Sequence, residues 1–407
     1  MGSQLPLGLK MPTDGKFAFE QLQAEGRTFH AYVHVPFCAV RCGYCDFNTY
    51  TSSELKGYQP GDFVEHLKSE IALSKQVLSE LPARRLSTVF FGGGTPTLLP
   101  AADLVAAVEI LRESYGFEPG AEITVEANPD TVDADALQQL KDGGVTRISF
   151  GVQSAVPSVL QTLERTHNPD RVSEVVDAAK MAGLDASIDL IYGAPGETFE
   201  QWQQTVDFAI SLNVDHISAY ALIVEEGTKL AAQINSGKLS EPDEDLEALK
   251  YTYLDEKLLA NDLHWYELSN WSRTPEKNSA HNVAYWKNQD WWGFGPGAHS
   301  HVGQVRWWNV KHPTTYAAAL AERRSPGAGM ELIDAGTSLV EELMLQIRLR
   351  DGVATDLVRE INPKAAEVVA GAIAKGWIDS ASAFKGQIVL TVTGRLMADA
   401  LLRELIG

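Results

Sequence analysis

The segment CAVRCGYCDF, residues 38–47, contains all three cysteines of this 407-residue chain, spaced C-x3-C-x2-C. It follows a short apolar run, HAYVHVPF (30–37), which predicts a β-strand. Three cysteines cannot all pair with one another and no further thiol is present, which argues against a secreted, disulfide-stapled protein. The clustering of the thiols in one loop after a strand instead predicts a site for a metal or a metal cluster.

Thiolates are soft ligands that suit zinc and iron–sulfur clusters. A structural zinc site normally has four ligands, often as two C-x2-C pairs. This chain has no second pair, so zinc would need a fourth ligand such as His34 or Asp46, and that alternative stays open here. Three thiolates on a four-iron cluster would leave one iron open to a small chelating ligand. The cysteine count therefore favours an iron–sulfur cluster.

The composition limits the partners that we expect. The net charge is −20 and the isoelectric point is near 4.9, which argues against nucleic acid or an anionic membrane as the main partner. Residues 1–27 form a polar leader without a secretory signal pattern, and no 18-residue apolar stretch occurs. We expect a cytoplasmic protein without an integral membrane segment.

Strand and helix patterns alternate six times in the first part of the chain. The predicted strands are 30–37, 87–91, 123–129, 146–153, 186–193 and 216–224, and a helical pattern follows each one. In the pattern after the fourth strand, Val172, Val175, Val176 and Ala179 would share one helix face. Such alternation specifies a parallel sheet with right-handed crossovers. Six units are too few for an eight-stranded barrel, so we predict an α/β fold with an open, six-unit (β/α)6 partial barrel.

The alternation stops after the sixth unit. We expect the partial barrel at 28–230, a barrel extension at 231–325 with a Trp-rich segment, and a smaller, mainly helical, winged-helix-like domain at 326–407. A small hairpin is predicted within 376–391. The loops that follow the six strands should meet at one edge of the sheet, which is where we expect the chemistry.

The cysteine loop resembles that of the radical S-adenosylmethionine (SAM) superfamily, including Tyr44 before the last cysteine. The resemblance implies a [4Fe–4S] cluster on Cys38, Cys42 and Cys45, with SAM on the open iron. It also implies that an electron from the reduced cluster can cleave SAM to a 5′-deoxyadenosyl radical, chemistry that belongs to the cofactor.

The resemblance further implies SAM contacts at successive strand ends. The backbone of FGGGTPT (91–97) would approach the methionine amino group, a carboxylate after the third strand would accept from ribose hydroxyls, and a later arginine would pair with the SAM carboxylate. Each such residue alone has an ordinary structural explanation, but the set predicts a ligand site. Its members are Tyr32, Tyr44, Gly93, Gly94, Thr95, Glu126, Gln153, Arg165, Asp189 and Ala221.

The motifs also resemble a particular group of the superfamily, the oxygen-independent coproporphyrinogen III oxidases and their paralogues, the radical SAM heme chaperones. The motifs are HVPFCAVRCGYCDF, FGGGTPT, EANPD, RISFGVQS, ERTHN and IDLIYGAPGET, in this order. The oxidase pattern has a further cysteine two residues after the last cluster ligand, where this chain has Phe47. That departure argues against porphyrinogen decarboxylation and favours the heme chaperone branch, with the oxidase activity as the alternative.

A second motif, HNVAYW (281–286), resembles the H-N-x-x-Y-W motif of the chaperone branch. It supplies heme-binding candidates, His281, Asn282, Tyr285 and Trp286. In a helix, His281 and Tyr285 would share one face at i,i+4. A neutral imidazole is a common axial ligand of heme iron, and His299, His301 and His312 are nearby alternatives. The competing interpretation is that the aromatic residues pack a lid over the open barrel edge and His281 is a hydrogen-bonded core residue. We also expect a backbone turn near the cluster at GFGPGAHS (293–300).

These observations predict a protein that binds heme and delivers it to an acceptor protein, with a SAM-liganded cluster that requires an electron donor. Whether it is also an enzyme, and which residues would then be catalytic, is left open by the sequence.

Overall fold

Six parallel strands form the centre of the sheet in this structure, a computed structural model that describes residues 8–23, 25–165 and 167–407. The strands are β1 (Phe29–Val35), β2 (Leu86–Gly93), β3 (Phe117–Ala127), β4 (Arg147–Gln153), β5 (Asp185–Tyr192) and β6 (His216–Ala221). They pair with one another in chain order, all in parallel. Their carboxyl ends therefore meet at one edge, as predicted.

Helices cover the outside of this partial barrel. They are α1 (Phe19–Leu22), α2 (Phe63–Val77), α3 (Ala101–Tyr115), α4 (Ala134–Asp142), α5 (Pro157–Thr162), α6 (Pro169–Met181), α7 (Phe199–Ser211) and α8 (Lys229–Asn235). Asp133, Thr198 and Thr228 cap their helices by accepting a backbone N–H. The predicted apolar face of α6, Val172, Val175, Val176 and Ala179, is buried. Strands β1 and β4 are buried along almost their whole length, and polar residues such as His30, His34 and Arg147 alternate in them with apolar ones.

The segment after β6 extends the sheet at both edges. Its elements are α9 (Glu244–Leu259), β7 (His264–Glu267), β8 (Asn270–Ser272), α10 (Ala280–Trp286), β9 (Asp290–Phe294), β10 (His299–Val302), β11 (Val305–Asn309), α11 (Pro313–Ala321) and β12 (Gly327–Leu332). Within the described residues the strand order is β12-β11-β10-β9-β1-β2-β3-β4-β5-β6-β8-β7. Strand β9 is parallel to β1, and the other added strands pair antiparallel.

The tryptophan-rich segment is thus part of the sheet and not a lid over its open edge. Trp292, Trp307 and Trp308 lie on β9 and β11 and are buried. Paired strands satisfy the backbone N–H and C=O groups of the segment, which a lid without regular structure would leave unpaired. The competing interpretation of this segment as a lid is therefore wrong, and the barrel carries a four-stranded extension at its β1 edge.

The chain ends in a helical unit with its own core. Its elements are α12 (Ala335–Gln346), β13 (Val353–Ala354), α13 (Thr355–Ile361), α14 (Ala365–Ala374), α15 (Ser380–Phe384), β14 (Gln387–Ile388), α16 (Val392–Leu396) and α17 (Ala398–Ile406). The predicted hairpin region contains α15, with a single bridge between Ile378 and Leu390, while β14 pairs with β13. Residues 327–332 belong to the main sheet as β12, and we infer that the helical unit begins near residue 335.

A buried ion pair joins the helical unit to the barrel extension. Arg395 on α16 donates two hydrogen bonds to the carboxylate of Asp255 on α9, at 2.9 and 2.6 Å. The paired fork geometry and the buried surroundings make this a strong, orientation-specific contact. In the part of the chain that the structure describes, no helix is both long enough and apolar enough to cross a bilayer.

Candidate functional site

A cavity of about 690 Å³ lies at the carboxyl edge of the six parallel strands. This size falls in the range of small-molecule sites. The structure brings all three cysteines and every predicted SAM residue to its wall, namely Tyr32, Cys38, Cys42, Tyr44, Cys45, Gly93, Gly94, Thr95, Glu126, Gln153, Arg165, Asp189 and Ala221. The parallel topology causes this convergence, because residues far apart in sequence follow neighbouring strand ends.

The cysteine loop closes one side of this cavity. The Cys38 N–H donates to the Tyr50 carbonyl at 3.0 Å, and the Cys45 N–H donates to the Cys42 carbonyl at 3.2 Å. Burial raises the pKa of the Cys38 thiol and raises that of Cys45 to about 11. Both thiols are therefore protonated near neutral pH unless a cation stabilises the thiolates. Three half-buried thiols facing one cavity are a donor set that suits an iron–sulfur cluster.

The thiols share a cavity without converging on one point. Among residues 8–23, 25–165 and 167–407, no three His, Cys, Asp or Glu side chains are close enough together to form a ready metal site. His34 is poorly placed to be the fourth ligand of a zinc site. Its two ring nitrogens already bond to the Tyr32 hydroxyl at 3.0 Å and the Asn48 carbonyl at 2.9 Å. The residues present therefore fit three thiolate ligands better than a four-ligand zinc site with His34.

The glycine run after β2 lies directly against the start of the cysteine loop. The N–H of Gly94 donates to the Val35 carbonyl at 2.8 Å, and that of Thr95 donates to the Phe37 carbonyl at 2.7 Å. A Cβ atom on Gly94 would lie only 2.5 Å from the Phe37 carbonyl oxygen. Gly93 has φ of +108°, a conformation that side chains strongly disfavour. Glycine is needed here so that two strand ends can meet at the cavity.

Two carboxyl groups lie on the cavity wall across β3 and β5. Burial and the nearby charge of Asp189 raise the pKa of Glu126 to about 8, although Glu126 accepts the Gly93 N–H at 3.2 Å. Burial also raises the pKa of Asp189, which accepts a hydrogen bond from the Ser149 hydroxyl at 3.0 Å. A cationic ligand beside this pair would favour the ionised forms. The pair therefore fits the ammonium or sulfonium group of SAM.

A buried guanidinium supplies the opposite charge. Arg165 donates from one nitrogen to the Gly151 carbonyl at 2.7 Å and from another to Cys42 Sγ at 3.6 Å. Its buried Nε has no hydrogen-bond partner among the residues that the structure describes. Gln153, at the end of β4, has φ of +64° and turns the chain at this point. Strained non-glycine backbone is common at functional sites. Arg165 is thus placed to receive an anionic group, such as the carboxylate of SAM.

The helix formed by HNVAYW places its residues on two sides. His281 and Tyr285 share one face, as predicted, and are hydrogen-bonded through Nε2 and the hydroxyl at 3.0 Å. His281 Nδ1 also bonds to the Thr88 hydroxyl at 2.6 Å, and the ring stacks on Phe90. His281 is buried and both of its ring nitrogens are occupied, which is the geometry of the hydrogen-bonded core histidine.

The other two members of the motif diverge. Asn282 lines the cavity beside His281 and Tyr285, whereas Trp286 lies outside it. Trp286 packs under the guanidinium of Arg348, next to the helical unit, with the charged carbon 5.8 Å from the ring centroid. The motif therefore connects the cavity to the helical unit, and a common heme-binding face for all four residues is not what the structure shows.

A second cavity of about 520 Å³ adjoins the first. Residues that line both cavities are Tyr32, Asp46, Phe47, Gly93, Glu126 and Tyr285. Of the alternative histidines, His299 lines this cavity, whereas His301 and His312 do not. The expected turn at 293–300 separates β9 from β10 and contributes Gly297, Ala298 and His299 to the wall. Phe47, 60% exposed, stands between the two cavities.

Some cavity residues carry no sequence signal of their own. Ser149, Ser218 and Asn270 line the main cavity from strand interiors or from the added strand β8. The sequence indicates Ser149 and Ser218 only indirectly, because they lie shortly before the ends of predicted parallel strands. Asn270 could not be found from the sequence, since the pairing of β8 with β6 is a long-range event.

Comparisons with known proteins identify the superfamily and the fold. A sequence profile of the Radical SAM superfamily matches residues 32–209. The solved structure of the Escherichia coli radical SAM enzyme HemN, a coproporphyrinogen III oxidase, superimposes with a TM-score of 0.79 over 93% of this chain and 90% of that one. The identity is 21%, so the likeness shows the fold alone. The fold and the cavity thus define a radical SAM protein with a partial (β/α)6 barrel.

Full-length relatives identify the branch. "Heme chaperone HemW" of Mycobacterium tuberculosis is 42% identical over 384 residues, 94% of this chain and 96% of that protein. The protein of the same name from Bacillus subtilis is 32% identical over 387 residues, 93% of this chain and 99% of that protein. The chain belongs to the HemW family of radical SAM proteins, as the motifs suggest.

Proposed function

We propose that this protein is a heme chaperone, which binds heme and passes it to an acceptor protein. The observation that carries the proposal is the similarity to HemW, 42% identity over 94% of the chain. A radical SAM barrel alone would account for only part of that similarity, since its profile matches residues 32–209. Delivery implies an acceptor protein, and the cluster implies an electron donor. We propose that heme binding and delivery take place in the cytoplasm.

We further propose that Cys38, Cys42 and Cys45 hold a [4Fe–4S] cluster with SAM as an additional ligand. When bound, the cluster would offer one iron to SAM and supply it with an electron. The thiols do not converge in the protein by itself, so the loop would draw them together around the cluster. Insertion would also release their protons, because metal ligation requires thiolates.

The chain's own residues would orient SAM by charge and by close backbone approach. Arg165 pairs with its carboxylate, and Glu126 with Asp189 form the acidic side of the cavity. The backbone of Gly93, Gly94 and Thr95 borders the amino group without obstructing side chains. The remaining contacts, from Tyr32, Tyr44, Gln153 and Ala221, complete the wall and exclude water. Opposite charges at the two ends of one ligand fix its direction in the cavity.

Heme is large, flat and mostly apolar, and the cavity mouth suits such cargo. Exposed apolar side chains on the rim of the main cavity are Val40, Phe47, Leu98, Tyr220 and Ile223. Exposed apolar groups of this size commonly mark a binding surface. We propose that HNVAYW contributes to heme binding through Tyr285, which lines both this cavity and the adjoining one. His281 is a structural residue in this proposal, because iron ligation would break one of its two hydrogen bonds.

The oxidase alternative has less support. Its pattern requires a cysteine at position 47, where this protein exposes an aromatic ring. The likeness to the E. coli oxidase HemN, at 21% identity, shows the fold alone.

The proposal is tested by titrating anaerobically reconstituted protein with ferric heme and recording difference absorbance spectra. We expect saturable binding near one heme per chain, with a defined Soret band. If the absorbance change instead rises linearly without saturation, as it does for heme in buffer without protein, heme binding as the main function is contradicted.

A further inference from the structure

We propose that the second cavity is the heme pocket and that the His299 imidazole ligates the heme iron. This inference rests on the proposed heme chaperone function, and it adds the position of the heme pocket and the residue that ligates the heme iron. The cavity, about 520 Å³, lies between the cysteine loop, the turn before β10 and helix α12. It takes Leu345 from α12, so the helical unit closes one side of it.

The contacts of His299 set it apart from the other histidines near the site. Both ring nitrogens of His30, His34 and His281 are engaged in hydrogen bonds inside the fold. His301 is buried, bonds to the Gly303 carbonyl through Nε2 and does not line the second cavity. His299 is exposed at the start of β10, and within the described residues its ring nitrogens bond to no protein group. A histidine that ligates iron needs a nitrogen lone pair that faces free space.

The surroundings of His299 hold the ring in place. Its imidazole stacks on Trp308, with ring centroids 5.9 Å apart and an interplanar angle of 29°. Trp308 is itself buried in the sheet, so the stacking surface is rigid. The Trp291 indole N–H donates to the His299 carbonyl at 2.9 Å. Partial burial and the neighbouring Arg306 and Lys311 lower the pKa of His299, which keeps the imidazole neutral and able to ligate at pH 7.

The cavity also offers the other features that heme requires. Phe47 and Trp291 provide aromatic surface on the wall, and aromatic rings stack on flat conjugated ligands. Lys311 and Arg306 both line this cavity and give its wall positive charge, which suits the anionic propionates of heme. Arg306 is already paired with Glu331 and Glu341, at 2.8 and 2.7 Å, and serves to shape the wall.

The position of the pocket relates heme to the cluster. Phe47 lies two residues after Cys45 and lines both cavities, so movement of the cysteine loop moves one wall of the proposed heme pocket. Asn48 ties the same loop to the turn before β10 by donating to the Pro296 carbonyl at 3.0 Å. A binding site that shares a wall with the cluster loop can respond to the state of that loop.

The test compares full-length, reconstituted wild-type protein with His299→Ala and His299→Met. We expect His299→Ala to raise the Kd for ferric heme at least tenfold and to shift the Soret band, with free imidazole restoring the wild-type band position. His299→Met should give a third spectrum, since a thioether replaces the imidazole. His264→Ala, on β7 and away from both cavities, is the matched control and should bind as wild type does. Circular dichroism melts verify that each variant is folded.

The outcomes separate this inference from the proposed function. Wild-type binding that His299→Ala and His299→Met leave unchanged in affinity and spectrum would overturn the pocket assignment but not the chaperone function. Failure of the wild-type protein to bind heme would overturn both.

Discussion

Arg165 donates a hydrogen bond from its guanidinium to Cys42 Sγ at 3.6 Å, across 123 residues of sequence. The contact links the loop after β4 to the cysteine loop after β1. It places one buried positive charge between the proposed cluster ligands and the proposed position of the SAM carboxylate.

Arg165→Ala should weaken SAM binding by roughly 10- to 100-fold. A hydrogen bond to a charged group contributes about 1.5–3 kcal/mol, and each 1.4 kcal/mol is tenfold in affinity. Equilibrium dialysis of labelled SAM against reconstituted protein measures the effect. Arg359→Ala, on the exposed surface of α13, is the control and should leave the affinity unchanged. Equal SAM affinity in the Arg165 variant would remove this residue from the site.

Gly94→Ala should destabilise the protein by about 1–3 kcal/mol, the usual cost of forcing an extra methyl group into a packed site. The added Cβ would approach the Phe37 carbonyl at 2.5 Å and the Val35 carbonyl at 2.9 Å, and backbone cannot move aside easily. Urea unfolding measures the loss of stability, and iron content measures cluster retention. Gly61→Ala, which adds a Cβ in open space, should change neither. A Gly94 variant as stable as wild type would contradict the close packing of the two strand ends.

Glu70→Gln should flatten the pH dependence of stability. Glu70 accepts hydrogen bonds from Tyr316, Gly295 and Asn309, and burial raises its pKa from 4.5 to about 7. Between these values the folded state keeps a proton that the unfolded state has lost, so the free energy of unfolding falls as pH rises through this window. The contribution of this one carboxyl is present in full below pH 4.5 and absent above pH 7.

The corresponding measurement is denaturant unfolding of wild type and Glu70→Gln at several pH values between 4.5 and 7.5. The stability advantage of wild type over the variant should shrink by up to about 3 kcal/mol across the window, since one pKa unit is 1.36 kcal/mol. Glu360→Gln, on the exposed side of α13, should run parallel to wild type. A constant difference between wild type and the Glu70 variant would show that this carboxyl titrates normally.

Phe47→Ala should weaken heme binding about tenfold without loss of stability. The side chain is 60% exposed in the protein alone, so folding depends little on it, while contact with heme would bury it. Full burial of a phenylalanine side chain is worth about 1.5–3 kcal/mol. Heme titration reports the affinity and thermal unfolding the stability. Phe384→Ala, 91% exposed on α15, should have no effect on either quantity.

The sequence predicted the convergence of the main site because that convergence follows from topology. Parallel strands in chain order bring Glu126, Asp189 and Arg165 to one edge, whatever the details of packing. The left-handed backbone of Gln153 was not predictable, since it coincides with a register shift between β4 and β5 that no sequence pattern indicates. The strand–helix pattern of the sequence therefore predicts which residues come together. Their exact backbone and side-chain geometry depends on tertiary contacts that the pattern does not contain.

The structure of the tryptophan-rich segment is not determined by its local sequence pattern. Clustered aromatic residues are compatible with a lid or with strands, and only the pairing of β9 with β1 decides between them. The sequence pattern is also only partly informative for HNVAYW. Helical spacing correctly predicted that His281 and Tyr285 share one face of the helix. Spacing alone could not show that Trp286 packs toward Arg348 while His281 is enclosed by Thr88 and Phe90.

The central claim, that this radical SAM protein carries heme and does not decarboxylate a porphyrinogen, is tested most directly on one reconstituted, reduced sample with SAM. Half of the sample receives heme and the other half receives coproporphyrinogen III, with the E. coli oxidase HemN as the positive control. We predict saturable heme binding in the first half and no substrate-dependent carbon dioxide or 5′-deoxyadenosine in the second. Release of both products in proportion to coproporphyrinogen III consumed, without saturable heme binding, would contradict the account.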